Sequence, residues 1–264
     1  MLRYSANLTF LFTEAPFLER FGRAAAAGFR AVEFLFAHSE DVAGIEREVR
    51  RHNLEVVLFD PEAGDFAAGD RGYLSDPRRR DIFFKTLEDA MLTARRLGVR
   101  RLNVLAGNRV EGTSAAEHRR AVVESLRTAA PLAQSAGITL LIEALNTFEH
   151  PRYYLDRSQL GFEIIGEVGH PNVKFQYDVY HMQQMEGRLT ETLLTHLPLI
   201  GHIQIADVPG RREPGTGEIN FPFLLRALEG AGYAGYVGLE YHPSGRTEDS
   251  FAWLPGSASG GGGP

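Results

Sequence analysis

The 264-residue chain has no cysteine, which excludes disulfide stapling, thiolate-bound zinc and thiol catalysis and fits a reducing cytoplasm. Its 28 basic residues are outnumbered by 34 acidic ones, and a net charge of −6 leaves no basic footprint for nucleic acid. A small anionic substrate remains compatible, since one local Arg can bind it. No stretch approaches the ~18 uninterrupted apolar residues of a membrane-spanning helix. Ser5, Asn7, Thr9 and Glu14 interrupt the N-terminal apolar segment, which therefore reads as a first strand and not as a signal peptide. Also missing are a Ser-His-Asp signature and a Gly-rich phosphate loop after the first strand.

What the chain does have is alternation. Short β-rich runs at 3–8, 31–35, 54–59, 101–105, 139–143, 173–178, 200–205 and 236–240 are separated by longer stretches. Those at 16–27, 77–97, 115–136, 158–168, 189–196 and 221–231 carry helical periodicity. Several end on Gly28, Gly98, Gly137, Gly169 or Gly232, the left-handed stop that precedes a short connection. Strand-then-helix units repeated along a chain of this length predict an α/β fold, a single (β/α)8 TIM barrel over 1–256. An open doubly wound sheet is the alternative, weakened by the missing phosphate loop. The last segment, SASGGGGP (257–264), is expected to be a flexible tail.

Barrel active sites form where strands end and the following loops begin. The fifth run ends in Glu143, the sixth in Asp178 and the eighth in Glu240, while Gln204 lies near the end of the seventh. A single carboxylate there could be a helix cap or a loop ion pair. Four oxygen-bearing side chains on successive strands are harder to explain so, because burying carboxylates without compensation is costly. A cation is the simplest compensation. The oxygen-rich set suits Mg²⁺ or Mn²⁺ better than Zn²⁺ or Co²⁺. Glu143 and Glu240, on strands that are not neighbours, are placed to move a proton between adjacent carbons as base and acid. His181, three residues past Asp178 in an expected loop, and Arg211, in a Gly/Pro-rich loop after the seventh strand, are candidates for substrate binding. As isolated residues they would read as a structural histidine and a solvated charge. Glu33, ending the second strand, and Asn103, inside the fourth, are expected to play supporting roles.

The segments SANLTFLF, GFRAVEF, LLIEALN, QYDVYHMQQMEGRLT, GHIQIADVPGRREPGTGEINF and YVGLEY resemble the hydroxypyruvate isomerase family, in its order and spacing over nearly the whole chain. That family belongs to the xylose-isomerase-like barrels. The resemblance implies metal ligation by Glu143, Asp178, Gln204 and Glu240, acid–base work by Glu143 and Glu240, and substrate contacts from His181 and Arg211. Gln204 occupies a position where the related sugar epimerases usually place His, which favours the hydroxypyruvate isomerase branch. The expected reaction interconverts hydroxypyruvate and 2-hydroxy-3-oxopropanoate. Isomerisation of a 2-oxo-tetronate, ketose 3-epimerisation and a non-catalytic barrel that binds metal or sugar acid are the alternatives. Two positions depart from the family pattern: Asp60 where relatives usually carry Asn, and Ala144 where they usually carry Pro. Oligomeric state is open, and a homo-oligomer is compatible with the sequence.

Overall fold

Eight strands with apolar runs on both faces can be satisfied only if each is covered inside and out, which a parallel sheet closed under a coat of helices achieves. The computed structural model, which describes residues 1–255, has this arrangement. Strands β1 (Arg3–Asn7), β2 (Ala31–Phe36), β3 (Glu55–Asp60), β4 (Arg101–Asn103), β5 (Thr139–Glu143), β6 (Val173–Asp178), β7 (Ile200–Ile205) and β8 (Tyr236–Leu239) pair in chain order. β8 closes on β1, with Arg3 opposite Tyr236 and Ala6 opposite Leu239. The fold is a (β/α)8 barrel. The expected boundary at 256/257 and the tail lie outside the described residues.

The helices are α1 (Phe17–Ala26), α2 (Val42–His52), α3 (Arg80–Leu97), α4 (Ala115–Ser135), α5 (Ser158–Val168), α6 (Val179–Met185), α7 (Leu189–His196) and α8 (Phe221–Gly230). Helices α3 and α5 stop on Gly98 and Gly169 with φ of 73° and 66°, a conformation that costs glycine little. Helix α4 begins on a capping box, Ser114 with Glu117. Among the described residues no helix is long and apolar enough to cross a membrane.

Three elements differ from the sequence reading. Helix α2 is present although no glycine ends it: Asn53 takes the left-handed stop with φ 52°, and the helix buries only Gly44 and Ile45. His181 lies on the short helix α6, capped by Asp178, and not in a loop. Strand β4 ends at Asn103, two residues earlier than expected, so Asn103 is a strand-end residue. Glu33, in turn, sits inside β2, whose strand runs on to Phe36.

Candidate active site

Register sets the depth of each side chain in the barrel. Asp178 pairs with Gln204, and Gln204 with Gly238, so the ends of β6, β7 and β8 come level. Glu143 ends β5, and Glu240 is the first residue beyond β8. All four side chains singled out from the sequence are buried, with Glu143 and Glu240 4% exposed and Asp178 and Gln204 1%.

Each carboxylate is held by particular donors. Asn103 Nδ2 donates to Glu143 Oε2 at 2.8 Å and lies 3.4 Å from Asp60 Oδ2. Asp178 accepts from the Tyr180 backbone N–H at 2.8 Å. Glu240 Oε1 accepts from Asn7 Nδ2 at 3.2 Å, while its Oε2 accepts from Arg211 at 2.5 Å. The Arg211 guanidinium also lies 3.5 Å from Asp178 Oδ2, and sits over the rings of Phe10 and Tyr180. Arg211 therefore reaches inward, as its loop position suggested, and its side chain is 14% exposed.

The β7–α8 loop holds Arg211 there through one buried carboxylate. Asp207 Oδ1 accepts from the N–H groups of Val208 (2.9 Å) and Ile219 (3.1 Å), and Oδ2 from those of Gly215 (2.9 Å) and Gly217 (2.8 Å). The Arg211 carbonyl accepts from His242 N at 2.8 Å, and Arg211 itself adopts a left-handed φ of 54°.

Burial dominates the electrostatics. It pushes the Glu143 carboxyl well above the usual range, with Glu240, Asp178 and Asp60 adding repulsion. Glu240 is pushed up to about 8 by burial, against the pull of Arg211. Asp178 is raised by burial and partly restored by Arg211. Asp60 is raised well above normal by burial and by Glu240. One arginine offsets only one of these four acidic groups, and a divalent cation would offset two more. Oxygens of Glu143 and Asp178 and a nitrogen of His181 lie within 4.8 Å of one another, a buried grouping that could hold a metal ion.

The hydrogen bonds of His181 argue against its being a ligand. Its Nδ1 accepts from the Asn146 backbone N–H at 3.2 Å, and Asn146 Nδ2 lies 2.8 Å away. A backbone N–H can only donate. Burial and Arg211 hold the ring well below its usual pKa, so it is neutral. The remaining ring hydrogen then sits on Nε2, 3.5 Å from Asp178 Oδ2, and is not a lone pair available to a cation. His181 is a hydrogen-bond donor at the mouth. Gln204 offers oxygen instead: its Oε1 accepts from Gln176 Nε2 at 2.6 Å and retains a second lone pair.

Sequence reasoning missed Asn7, Asn146 and Asp207. Asn7 ends β1, so the rule that selected Glu143 and Asp178 would have found it. Asn146 and Asp207 act from loops, with no periodicity to betray them.

Residues 21–256 match the model of the xylose isomerase-like TIM barrel family. The chain is 43% identical to hydroxypyruvate isomerase of Escherichia coli over 96% of its own length and 98% of that protein's. The chain belongs to the hydroxypyruvate isomerase family of these barrels. It is an isomerase. Within the family it is also 41% identical to a 2-oxo-tetronate isomerase of Cupriavidus necator, with the same coverage of 96% and 98%. Among solved structures, a Brucella melitensis protein described as an AP endonuclease, family 2, superposes with a TM-score of 0.93 at 42% identity, covering 96% of this chain and 98% of its own.

Proposed function

We propose that this isomerase interconverts hydroxypyruvate and 2-hydroxy-3-oxopropanoate, in the cytoplasm, with a divalent cation, Mg²⁺ or Mn²⁺, held by Glu143, Asp178, Gln204 and Glu240. Such a cation would supply positive charge to polarise a carbonyl and an adjacent hydroxyl oxygen. Glu143 and Glu240 do the proton work at carbon: one, as carboxylate, takes a proton from C3 and the other, as carboxylic acid, gives one to C2, while the O3 hydroxyl proton passes to O2. The observation that carries this reading is that both are buried and held by separate amides, Asn103 and Asn7, on strands that are not adjacent. In the metal-free site burial raises the proton affinity of both carboxyls.

Arg211 supplies the clamp for the substrate carboxylate. Its Nη1 faces Glu149 only at 3.9 Å, leaving part of the planar fork for an incoming acid. The neutral His181 donates from Nε2. The names of the two isomerase relatives support this substrate class, and a four-carbon 2-oxo acid fits the same machinery. The endonuclease description is not carried over, because a net charge of −6 gives no excess of cations for a phosphate backbone.

The test is kcat/KM for hydroxypyruvate, a four-carbon 2-oxo acid and an uncharged ketose, in wild type and in Arg211→Met. Hydrogen bonds to charged groups contribute about 1.5–3 kcal/mol each, so the acids should lose tens-fold or more and the ketose much less. Equal, small losses on all three would remove the keto-acid reading.

A further inference from the structure

Beneath the mouth lies another buried carboxylate that neither the proton transfer nor the proposed ligand set uses. Glu33 on β2 has no exposed surface. Its Oε2 accepts from Ser5 Oγ at 2.6 Å and lies 2.9 Å from His202 Nε2. Its Oε1 accepts from Gln204 Nε2 at 2.8 Å and from Asn7 Nδ2 at 3.3 Å. The slot exists because β8 carries Gly238 there: a Cβ at that position would lie 2.3 Å from Glu33 Oε1.

An amide can present either of its ends, and its neighbours decide which. Glu33 Oε1 already accepts from Asn7 Nδ2, so it meets Gln204 as an acceptor, and Gln204 turns Nε2 toward it. That leaves Oε1 as the atom offered to a cation. Asn7 is fixed in the same way. Its Oδ1 accepts from the Thr9 N–H at 3.0 Å, so its Nδ2 bridges Glu33 and Glu240. One buried carboxylate thus indexes side chains on β7 and, through β1, at the end of β8.

We propose that Glu33 is a positioning residue that orients the Gln204 amide, nitrogen inward, and so requires at position 204 a side chain that donates on one side and accepts on the other. This rests on reading Gln204 as a metal ligand. It also accounts for an amide there where a carboxylate would bind a hard cation more strongly: two acidic oxygens would meet where the 2.8 Å hydrogen bond now lies.

Mn²⁺ binding to the full-length chain without substrate, followed by loss of the free-ion EPR signal, tests this. The proteins to compare are wild type, Gln204→Glu and the double variant Glu33→Gln/Gln204→Glu, each with a Tm. In the double variant the amide at position 33 carries no charge to repel the carboxylate at 204. It should bind Mn²⁺ at least about tenfold more tightly than the single variant, within the range typical of outer-sphere partners. Equal affinities, with differences confined to Tm, would mean that Glu33 is only structural and would overturn the proposal. If Gln204→Glu does not fold, Gly238→Ala serves instead, because it presses on the Glu33 carboxylate and leaves every ligand in place. Its Mn²⁺ affinity should fall about tenfold, and an unchanged affinity overturns the proposal. A wild-type chain that fails to bind Mn²⁺ overturns the metal reading itself.

Discussion

At the scale of single residues, the proposed proton transfer puts the heaviest load on Glu143 and Glu240. Replacing either with Gln preserves shape and removes a base, and general acid–base groups contribute about 10²–10⁴-fold. Turnover should fall by at least that order in Glu143→Gln, since its amide would also be a weaker metal ligand. Steady-state kinetics with hydroxypyruvate measure this, and a loss of only a few-fold would remove Glu143 from the proton path. His181 offers a contrasting case. If it donates from Nε2 and does not ligate, His181→Gln should raise KM while leaving Mn²⁺ affinity within a few-fold of wild type. A collapse of metal affinity in that variant would return His181 to the ligand set.

At the scale of elements, the strand ends deliver the proposed metal ligands, while helix α6 and the β7–α8 loop deliver the proposed substrate contacts, His181 and Arg211. Asp207 is the anchor of the β7–α8 loop, accepting from four backbone N–H groups. Asp207→Asn keeps one acceptor oxygen and presents a donor to the others, so the loop should loosen and Arg211 with it. The expected signature is a raised KM for acid substrates with Mn²⁺ affinity no weaker than wild type, because Arg211 competes for Glu240, read by kinetics and EPR on the same preparation. What was legible in the sequence follows the same division. Strand ends can be counted from apolar runs, so the clustering of Glu143, Asp178, Gln204 and Glu240 at one end of the barrel is legible in the sequence. Helix α2 is not, because Asn53 replaces the glycine stop and the helix buries few residues. The inward reach of Arg211 was foreseen, but its partner Glu240 and its anchor Asp207 depend on how a Gly/Pro-rich loop folds back, which no period encodes. Asn7 was visible and passed over. Its role depends on β8 closing onto β1, a contact between the two ends of the chain.

At the scale of the whole molecule, the barrel gathers acidic groups into one buried end and stores an electrostatic cost there. Carboxyls with folded pKa values above their unfolded ones are protonated in both states at low pH and cost nothing. Between the unfolded value, near 4.5, and the folded value, about 8 for Glu240, the unfolded chain is ionised while the folded site retains its proton. The stability of the metal-free protein should therefore fall as pH rises through this window, and a bound divalent cation should flatten the slope. Thermal melts from pH 5 to pH 8, with and without Mg²⁺, check the sign.

The most direct measurement is solvent deuterium exchange. Hydroxypyruvate in D₂O, followed by proton NMR, would be incubated with chelator-treated protein, with the same protein reloaded with Mg²⁺, and with Glu143→Gln. Deuterium should enter C2 of the isomeric product, and C3 of the hydroxypyruvate returned by reversal, only with the reloaded wild type. Full exchange by a preparation verified to be metal-free, or none by the reloaded protein, would contradict a metal-dependent proton transfer at this site.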